Sequence, residues 1–417
     1  MTPDREPSPR FAICLAAHRA EHGYSLAEVA VRLHALSRET ERFDAGPTPK
    51  TVWRWEHGVE PCNRYRRLLC RLYGVSATEL GFRTSSASEK QRSVDAERSA
   101  DSVDLSDARV LAAAEPPTSA ADVDPELVEH WLELRGVLTG QDDMFGAGRV
   151  LGFAVRATRI IAGHRSVARG GLRVDLMRVE ARWEMLLAWL RDDLGDAQAT
   201  VAIERALTLA IEAQDWLMVG FVLARQAERS VRLGAGDAAI GLAQAAQRQR
   251  NVTVHVRALG VLYEALGHAL AGDAYNCERR LDEAHQLVEP NGDIDVAWDG
   301  LGRHYATRTT VLASEARCRL WLGQAVKAVD AANAALAEWP ATRRRGGGLQ
   351  RTGLAIACAA AGQTERAADE GLKALTIARE TQSIRTMHEL RRLDRRLCAV
   401  RPTDRARDFH DALASIA

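Results

Sequence analysis

Residues Leu322-Gly323-Gln324-Ala325-Val326-Lys327-Ala328 hold the pattern that decides the fold. It returns, altered, as Leu233-Gly234-Ala235-Gly236-Asp237-Ala238-Ala239 and as Ala361-Gly362-Gln363-Thr364-Glu365-Arg366-Ala367. Each copy ends one apolar helical stretch at a glycine and starts another. Gly195, Gly234, Gly272, Gly323 and Gly362 occupy this place, with spacings of 39, 38, 51 and 39 residues. Five residues after the last four stands a small side chain (Ala239, Cys277, Ala328, Ala367). Twelve residues after them stands alanine (Ala246, Ala284, Ala335, Ala374). The first glycine fits less well, with Thr200 and Leu207 at those offsets and Ala206 one place early. A glycine lets the chain reverse tightly between antiparallel helices, and small residues let the second helix lie close to its neighbours. Stacked pairs of this kind build a helical solenoid.

Outward from these turns, apolar residues recur at i, i+3 and i+4, and alternating β-branched runs are absent, so the fold class is all-α. Three regions separate. Residues 1–82 contain a dense helical head. Residues 83–124 are rich in Ser, Ala and Asp, with Pro116-Pro117, and read as a flexible linker that has too little apolar surface to offset chain entropy. Residues 125–417 are the repeat domain, its groove the natural ligand site, with 384–417 expected to cap the exposed core. The loop Pro290-Asn291-Gly292-Asp293 accounts for the long spacing before Gly323.

The head carries the sharpest signal. Ser25 with Glu28 forms a capping box ahead of the inward stripe Leu26, Val29, Ala30 and Leu33. Thr48 suits a helix N-cap and Pro49 the first helical position, where a missing N–H loses nothing. In the helix that follows, Val52 and Trp55 point inward, leaving Lys50, Thr51, Trp53 and Arg54 outward. Gly58 and Pro61 end it, and Tyr65 to Tyr73 and Gly74 to Leu80 supply a fourth and a fifth helix. The major groove admits an α-helix and displays each base pair distinctly. Arg54 and Lys50 are suited to guanine or phosphate, the Thr51 methyl to thymine, Trp53 to the sugar-phosphate edge, and Thr48 with the helix N-terminus to a phosphate.

These elements resemble the XRE-type helix-turn-helix family of phage-repressor-like regulators, through Arg19, Gly23, Ser25 to Ala30, Thr51 to Glu56, Gly58, Pro61 and Leu68 to Leu80. The resemblance implies a five-helix DNA-binding domain in which Lys50, Thr51 and Arg54 read bases. It also implies that Arg19 and Glu56 form the ion pair joining the first helix to the recognition helix. The segment between Leu33 and Thr48 is roughly a dozen residues longer than that family's turn, as an extension of the second helix or as a loop. The glycine phrases resemble tetratricopeptide repeats over residues 180–380, with a period longer than the usual roughly 34 residues. Head-plus-array chains of this build resemble regulators of development and secondary metabolism in actinobacteria.

Charge is uneven. Residues 1–83 hold 13 Lys and Arg against 10 Asp and Glu, so the head is only mildly basic and relies on placed contacts rather than bulk attraction. Within the array, Arg182, Arg225, Glu228 and Arg317 sit on first helices as candidate ligand contacts, the guanidinium groups suited to a peptide carboxylate or an acidic metabolite. Arg343 to Gly348 reads as a solvated loop. Gly146-Ala147-Gly148-Arg149-Val150-Leu151-Gly152 has the wrong spacing for a dinucleotide loop and no preceding strand. No GxxxxGK[ST], HExxH or GxSxG occurs, and no histidine stands at metal-ligand spacing from cysteine or carboxylate, so no catalytic site, cofactor or metal is expected. Seven cysteines without a CxxC pair read as free thiols of a reducing compartment. With no secretory signal and no apolar run of membrane length, the expected place is the cytoplasm. The expected partners are an operator in double-stranded DNA, a second copy of the chain, and a peptide, small-molecule or protein ligand. The alternative is an interaction scaffold whose head does not read DNA.

Overall fold

The computed structural model describes residues 10–40, 47–61, 63–82, 123–288, 305–399 and 403–415. Among them every regular element is helical, with no strand, and no helix is long and apolar enough to cross a membrane. The chain divides into two compact units, Met1–Glu133 with Arg159–Val179, and Leu134–Thr158 with Glu180–Ala417. The first unit therefore runs past residue 124 and takes in a stretch from within the expected repeat domain. Of the expected linker only Val123 and Asp124 lie within the described residues, and the loop at 290–293 lies outside them.

In the first unit α1 (Arg10–Glu21), α2 (Leu26–Thr40), α3 (Pro49–Glu56) and α4 (Asn63–Tyr73) surround one apolar core. Its centre is Trp55, fully buried and 4.9 Å from the Tyr65 ring. The capping box forms as its residue types dictate: Glu28 N–H donates to Ser25 Oγ at 3.2 Å, and Ser25 N–H donates to Glu28 Oε2 at 2.7 Å. The expected fifth helix is only a turn. Ser76 and Glu79 make a second capping box, but Gly81 at φ +78° ends the segment after one turn, placing Leu80 and Phe82 in the core. Between Leu33 and Thr48, α2 continues to Thr40, and residues 41–46 lie outside the described residues.

Helices α5 (Leu127–Phe145), α6 (Ala147–Val167) and α7 (Gly170–Asp193) contribute residues to both units. The second unit continues with α8 (Gln198–Glu212), α9 (Trp216–Arg232), α10 (Gly236–Gln247), α11 (Val254–Leu270) and α12 (Ala274–Val288). After residue 304 come α13 (Arg308–Trp321), α14 (Ala325–Ala337), α15 (Arg344–Ala360), α16 (Thr364–Thr381), α17 (Ile384–Cys398) and α18 (Asp404–Ala414). The five repeat glycines all adopt left-handed φ, from +70° to +77°. In each turn the N–H after the glycine reaches back across the helix end, as in Ala235 to Ser230 O at 2.9 Å and Gln363 to Cys358 O at 2.8 Å. The small residues at the two later offsets are all buried, none above 1% exposed, because the first helices press against them. At the irregular first pair it is Ala199, Ala202 and Ala206 that are buried. Gln214, Asn251 and Gln382 adopt the same left-handed conformation at other helix ends, without the glycine that would mark them in a sequence.

First helices α9, α11, α13, α15 and α17 lie side by side, each against the next, while α10, α12, α14 and α16 pack behind them. The last pair does more than cap. Ser383 Oγ donates to Asp193 Oδ1 at 3.0 Å, and Arg385 Nη2 donates to Glu228 Oε1 at 3.4 Å, so the start of α17 meets α7 and α9.

One carboxyl in this unit has a pH consequence. Burial first, and then neighbouring Glu180, push Glu184 up from 4.5 to about 7, against the pull of Arg205. The folded state therefore holds a proton that the unfolded chain has released, and stability falls as pH rises from 4.5 through about 7. Glu184→Gln is expected to stabilise the protein by about 1–3 kcal/mol at pH 8 and to do little at pH 4, after allowance for partial solvent screening. Urea unfolding followed by circular dichroism at both pH values checks this; an equal effect at both would refute it.

Candidate nucleic-acid interface and interior cavity

Helix α3 is held in place on one side and open on the other. Thr48 Oγ1 accepts from Thr51 N–H at 3.1 Å, Pro49 opens the helix, and Val52 and Trp55 are 3% and 0% exposed. Arg19 clamps its far end, with Nε to Glu56 Oε1 at 2.6 Å, Nη2 to Glu56 Oε2 at 2.9 Å, and Nη1 to the Tyr24 carbonyl at 3.1 Å. The bonds from Glu56 hold the Arg19 guanidinium above its ordinary value, so it stays charged at any physiological pH.

The outward face differs from expectation at one residue. Thr51 is buried, at 7% exposed, and its hydroxyl pairs with Thr48 Oγ1 at 2.9 Å. The reason is helical spacing: Thr51 stands four residues before the buried Trp55 and so shares its inward face, while its hydroxyl is taken by the N-cap Thr48. Its methyl is not offered to a base. Lys50, Trp53 and Arg54 are exposed, with Trp53 at 47%. They share their face with His57, which sequence reading missed. The His57 ring stacks on Trp53 at 3.9 Å, and its Nδ1 lies 2.7 Å from the Trp53 carbonyl. The i, i+3, i+4, i+7 spacing of 50, 53, 54 and 57 was the available signal. Two acidic residues of the same unit stand nearby. Asp124 Oδ2 is 3.6 Å from Arg54 Nη1, and Glu126 Oε1 accepts from Trp55 Nε1 at 3.1 Å. Burial and Asp124 raise the Glu126 carboxyl above its ordinary value.

The second unit encloses a cavity of about 570 Å3, bordered by residues of its first helices. Arg225, Glu228 and Arg317 all line it. Arg182 does not; it is 3% exposed and donates to Asp215 Oδ2 at 2.6 Å, while Asp215 caps α9 through Met218 N–H. Arg182 is therefore a strut between α7 and the start of α9, not a ligand contact, because a capping carboxylate captured its charge first.

Among the cavity arginines that escaped sequence reading, two make long-range ion pairs. Arg345 was expected in a loop, yet α15 starts at Arg344 and Arg345 is 4% exposed. The glycines that suggested a loop instead admit close packing. A β-carbon on Gly346 would stand 2.9 Å from the Trp339 ring, and one on Gly348 would stand 2.7 Å from Ile377 Cγ2. Arg345 donates to Asp142 Oδ2 at 2.6 Å and to Asp193 Oδ1 at 3.2 Å, and it lies 4.9 Å above the Trp189 ring. Arg385, at the start of α17, reaches Glu228, which also pairs with Arg225. Against the penalty of burial, these arginines hold Glu228 down at about 2. Nothing in the local sequence marks Arg385; it is 157 residues from its partner.

Sequence spacing put no histidine with cysteine and carboxylate, yet among the described residues the fold brings one such trio together. His410 of α18 lies 3.0 Å from Asp394 Oδ2 and 3.8 Å from Cys398 Sγ, one helix apart in the fold though 12 to 16 residues apart in the chain. The His410–Asp394 ion pair by itself accounts for this exposed group.

The sequence matches no protein-family model and no curated protein.

Proposed function

We propose that this chain is a sequence-specific DNA-binding transcriptional regulator. Its first unit acts as a helix-turn-helix reader, and its second, a tetratricopeptide-like array, responds to a ligand. The observation that carries the reading is the face of α3. Lys50, Trp53, Arg54 and His57 stand together on the exposed side of a short helix whose other side is locked by Trp55 and by the Arg19–Glu56 clamp. A rigid rod with basic and aromatic groups along one side suits the major groove. Lys50 and Arg54 read bases or hold phosphate, Trp53 with His57 packs on the sugar-phosphate edge, and Thr48 presents the helix start to a phosphate. One such helix makes few base contacts, so the chain works as a dimer on two half-sites about one helical turn apart.

Selection from random double-stranded DNA tests the proposal. Enrichment of a short palindromic site supports it; no enrichment favours the scaffold alternative. On a selected site, Arg54→Ala is expected to weaken binding by about 1–3 kcal/mol and to relax preference at one base position. Lys50→Ala, if it holds phosphate, weakens binding evenly across sequences and lowers the salt dependence by about one ion. Gel-shift titration at two salt concentrations separates the two roles, and unchanged affinity of Arg54→Ala sinks the assignment.

A further inference from the structure

The charges around the interior cavity do not balance. Among the described residues eight arginines line it against four carboxylates. Arg392 and Arg396 of these are exposed, and Arg345 is met by Asp142 and Asp193 from behind the wall, which leaves the remaining arginines to share few partners. Glu228 is shared by Arg225 and Arg385, and Asp192 is shared by Arg229 and Arg232. Arg317 makes no ion pair among the described residues; its guanidinium lies 5.1 Å from the Trp321 ring centroid. The buried Nε–H of Arg232 and that of Arg345 have no acceptor among the described residues, though their other nitrogens are paired. Arg385 feels the crowding. Burial and the neighbouring Arg232 and Arg317 hold its guanidinium below the ordinary arginine value despite Glu228. A half-buried guanidinium without a carboxylate of its own, such as Arg317, is costly unless a counter-charge occupies the site.

Apolar side chains complete the wall, among them Leu320, Ala332, Leu349 and Ile356. The volume is within the range of small-molecule sites, which lie between about 300 and 1,000 Å3. We infer that this cavity binds a small organic anion, its acidic group held by Arg317 and Arg385 and its apolar body against α13 to α15. The inference deepens the proposed sensing role of the second unit and names the ligand's chemistry. It also ties ligand to architecture, since Arg385 belongs to α17 and Arg317 to α13, so an anion between them joins the last pair to the middle of the array.

The test uses the full chain and two dyes of like ring structure, 8-anilinonaphthalene-1-sulfonate and the uncharged N-phenyl-1-naphthylamine, followed by fluorescence. No DNA is present, so failure here leaves the DNA-reading proposal standing, and failure to select an operator leaves this one standing. The expected result is saturable binding of one sulfonate dye per chain, with the uncharged dye at least about tenfold weaker, the worth of a charge-assisted hydrogen bond. Arg317→Ala and Arg317→Gln are expected to weaken the sulfonate dye about ten- to hundredfold and the uncharged dye hardly at all. Arg317→Lys keeps most of the binding, and Arg257→Ala, on an exposed pair outside the cavity, keeps all of it. Circular dichroism verifies that each variant is folded; if Arg317→Ala is not, Arg317→Gln and the dye comparison on the parent decide. Equal affinity of the parent for both dyes, no saturable site, or full sulfonate binding in the folded Arg317 variants overturns the inference.

Discussion

Gly146→Ala is expected to destabilise the second unit by at least about 4 kcal/mol, or to prevent its folding. Gly146 ends α5 with φ +90°, and an added β-carbon would fall 1.8 Å from the carbonyl oxygen of Thr381. That neighbour is backbone, at the last residue of α16, and it cannot rotate away as a side chain would. The strain would spread to function. Gln382, itself left-handed, follows Thr381; Ser383 caps α17 and bonds Asp193; Arg385 of the cavity comes next. The two nearby glycines are the controls. A β-carbon at Gly148 would meet only the end of the Gln382 side chain, at 3.1 Å, and Gly148→Ala is expected to change stability by less than about 1 kcal/mol. Gly152 has open space, and Gly152→Ala is expected to stabilise α6 by about 0.5–1 kcal/mol. Urea unfolding of the three variants gives the answer. Similar stabilities for Gly146→Ala and Gly148→Ala would mean that Gly146 and Thr381 are not in contact.

Arg345→Ala should weaken the same unit by about 3–5 kcal/mol, since it removes the cation between Asp142 and Asp193, which are 1% and 4% exposed. Trp189 Nε1 still donates to Asp142 Oδ2 at 2.9 Å, and Ser383 still donates to Asp193, but neither supplies charge. Burial already raises the Asp142 carboxyl above its ordinary value, opposed mainly by Arg345. Without the arginine the Asp142 carboxyl is raised further and takes up a proton on folding, so the variant loses stability as pH rises; its deficit is larger at pH 8 than at pH 5. Arg345→Met combined with Asp142→Asn and Asp193→Asn should recover much of the loss, because an uncharged cluster has no unpaired ion to bury. A deficit under about 1 kcal/mol, or one independent of pH, would show that the three charges do not act together.

Sequence named Arg225, Glu228 and Arg317 of the cavity wall but not the charges they meet, because those come from places far apart in the chain. Arg345 and Asp142 are 203 residues apart, and Arg385 and Glu228 are 157 apart. Arg182, on the same type of helix as Arg225, is indistinguishable from it in sequence, and only Asp215 separates a strut from a cavity wall. Thr51 was misplaced for a local reason. Sequence counts it polar and so outward, whereas the eight-residue helix turns it toward Thr48 and the core.

Local rules were enough where one residue type does one job. Glycine alone takes left-handed φ without penalty, serine with glutamate closes a helix start, and small side chains mark helices that touch. These rules placed the repeat turns, the capping box before α2 and the buried alanines, and with them the all-helical fold. The tertiary structure alone decided which charges meet. Ion pairing depends on distance in space, and a chain that folds its last helices back onto its first pairs sets those distances by packing, not by spacing in the sequence.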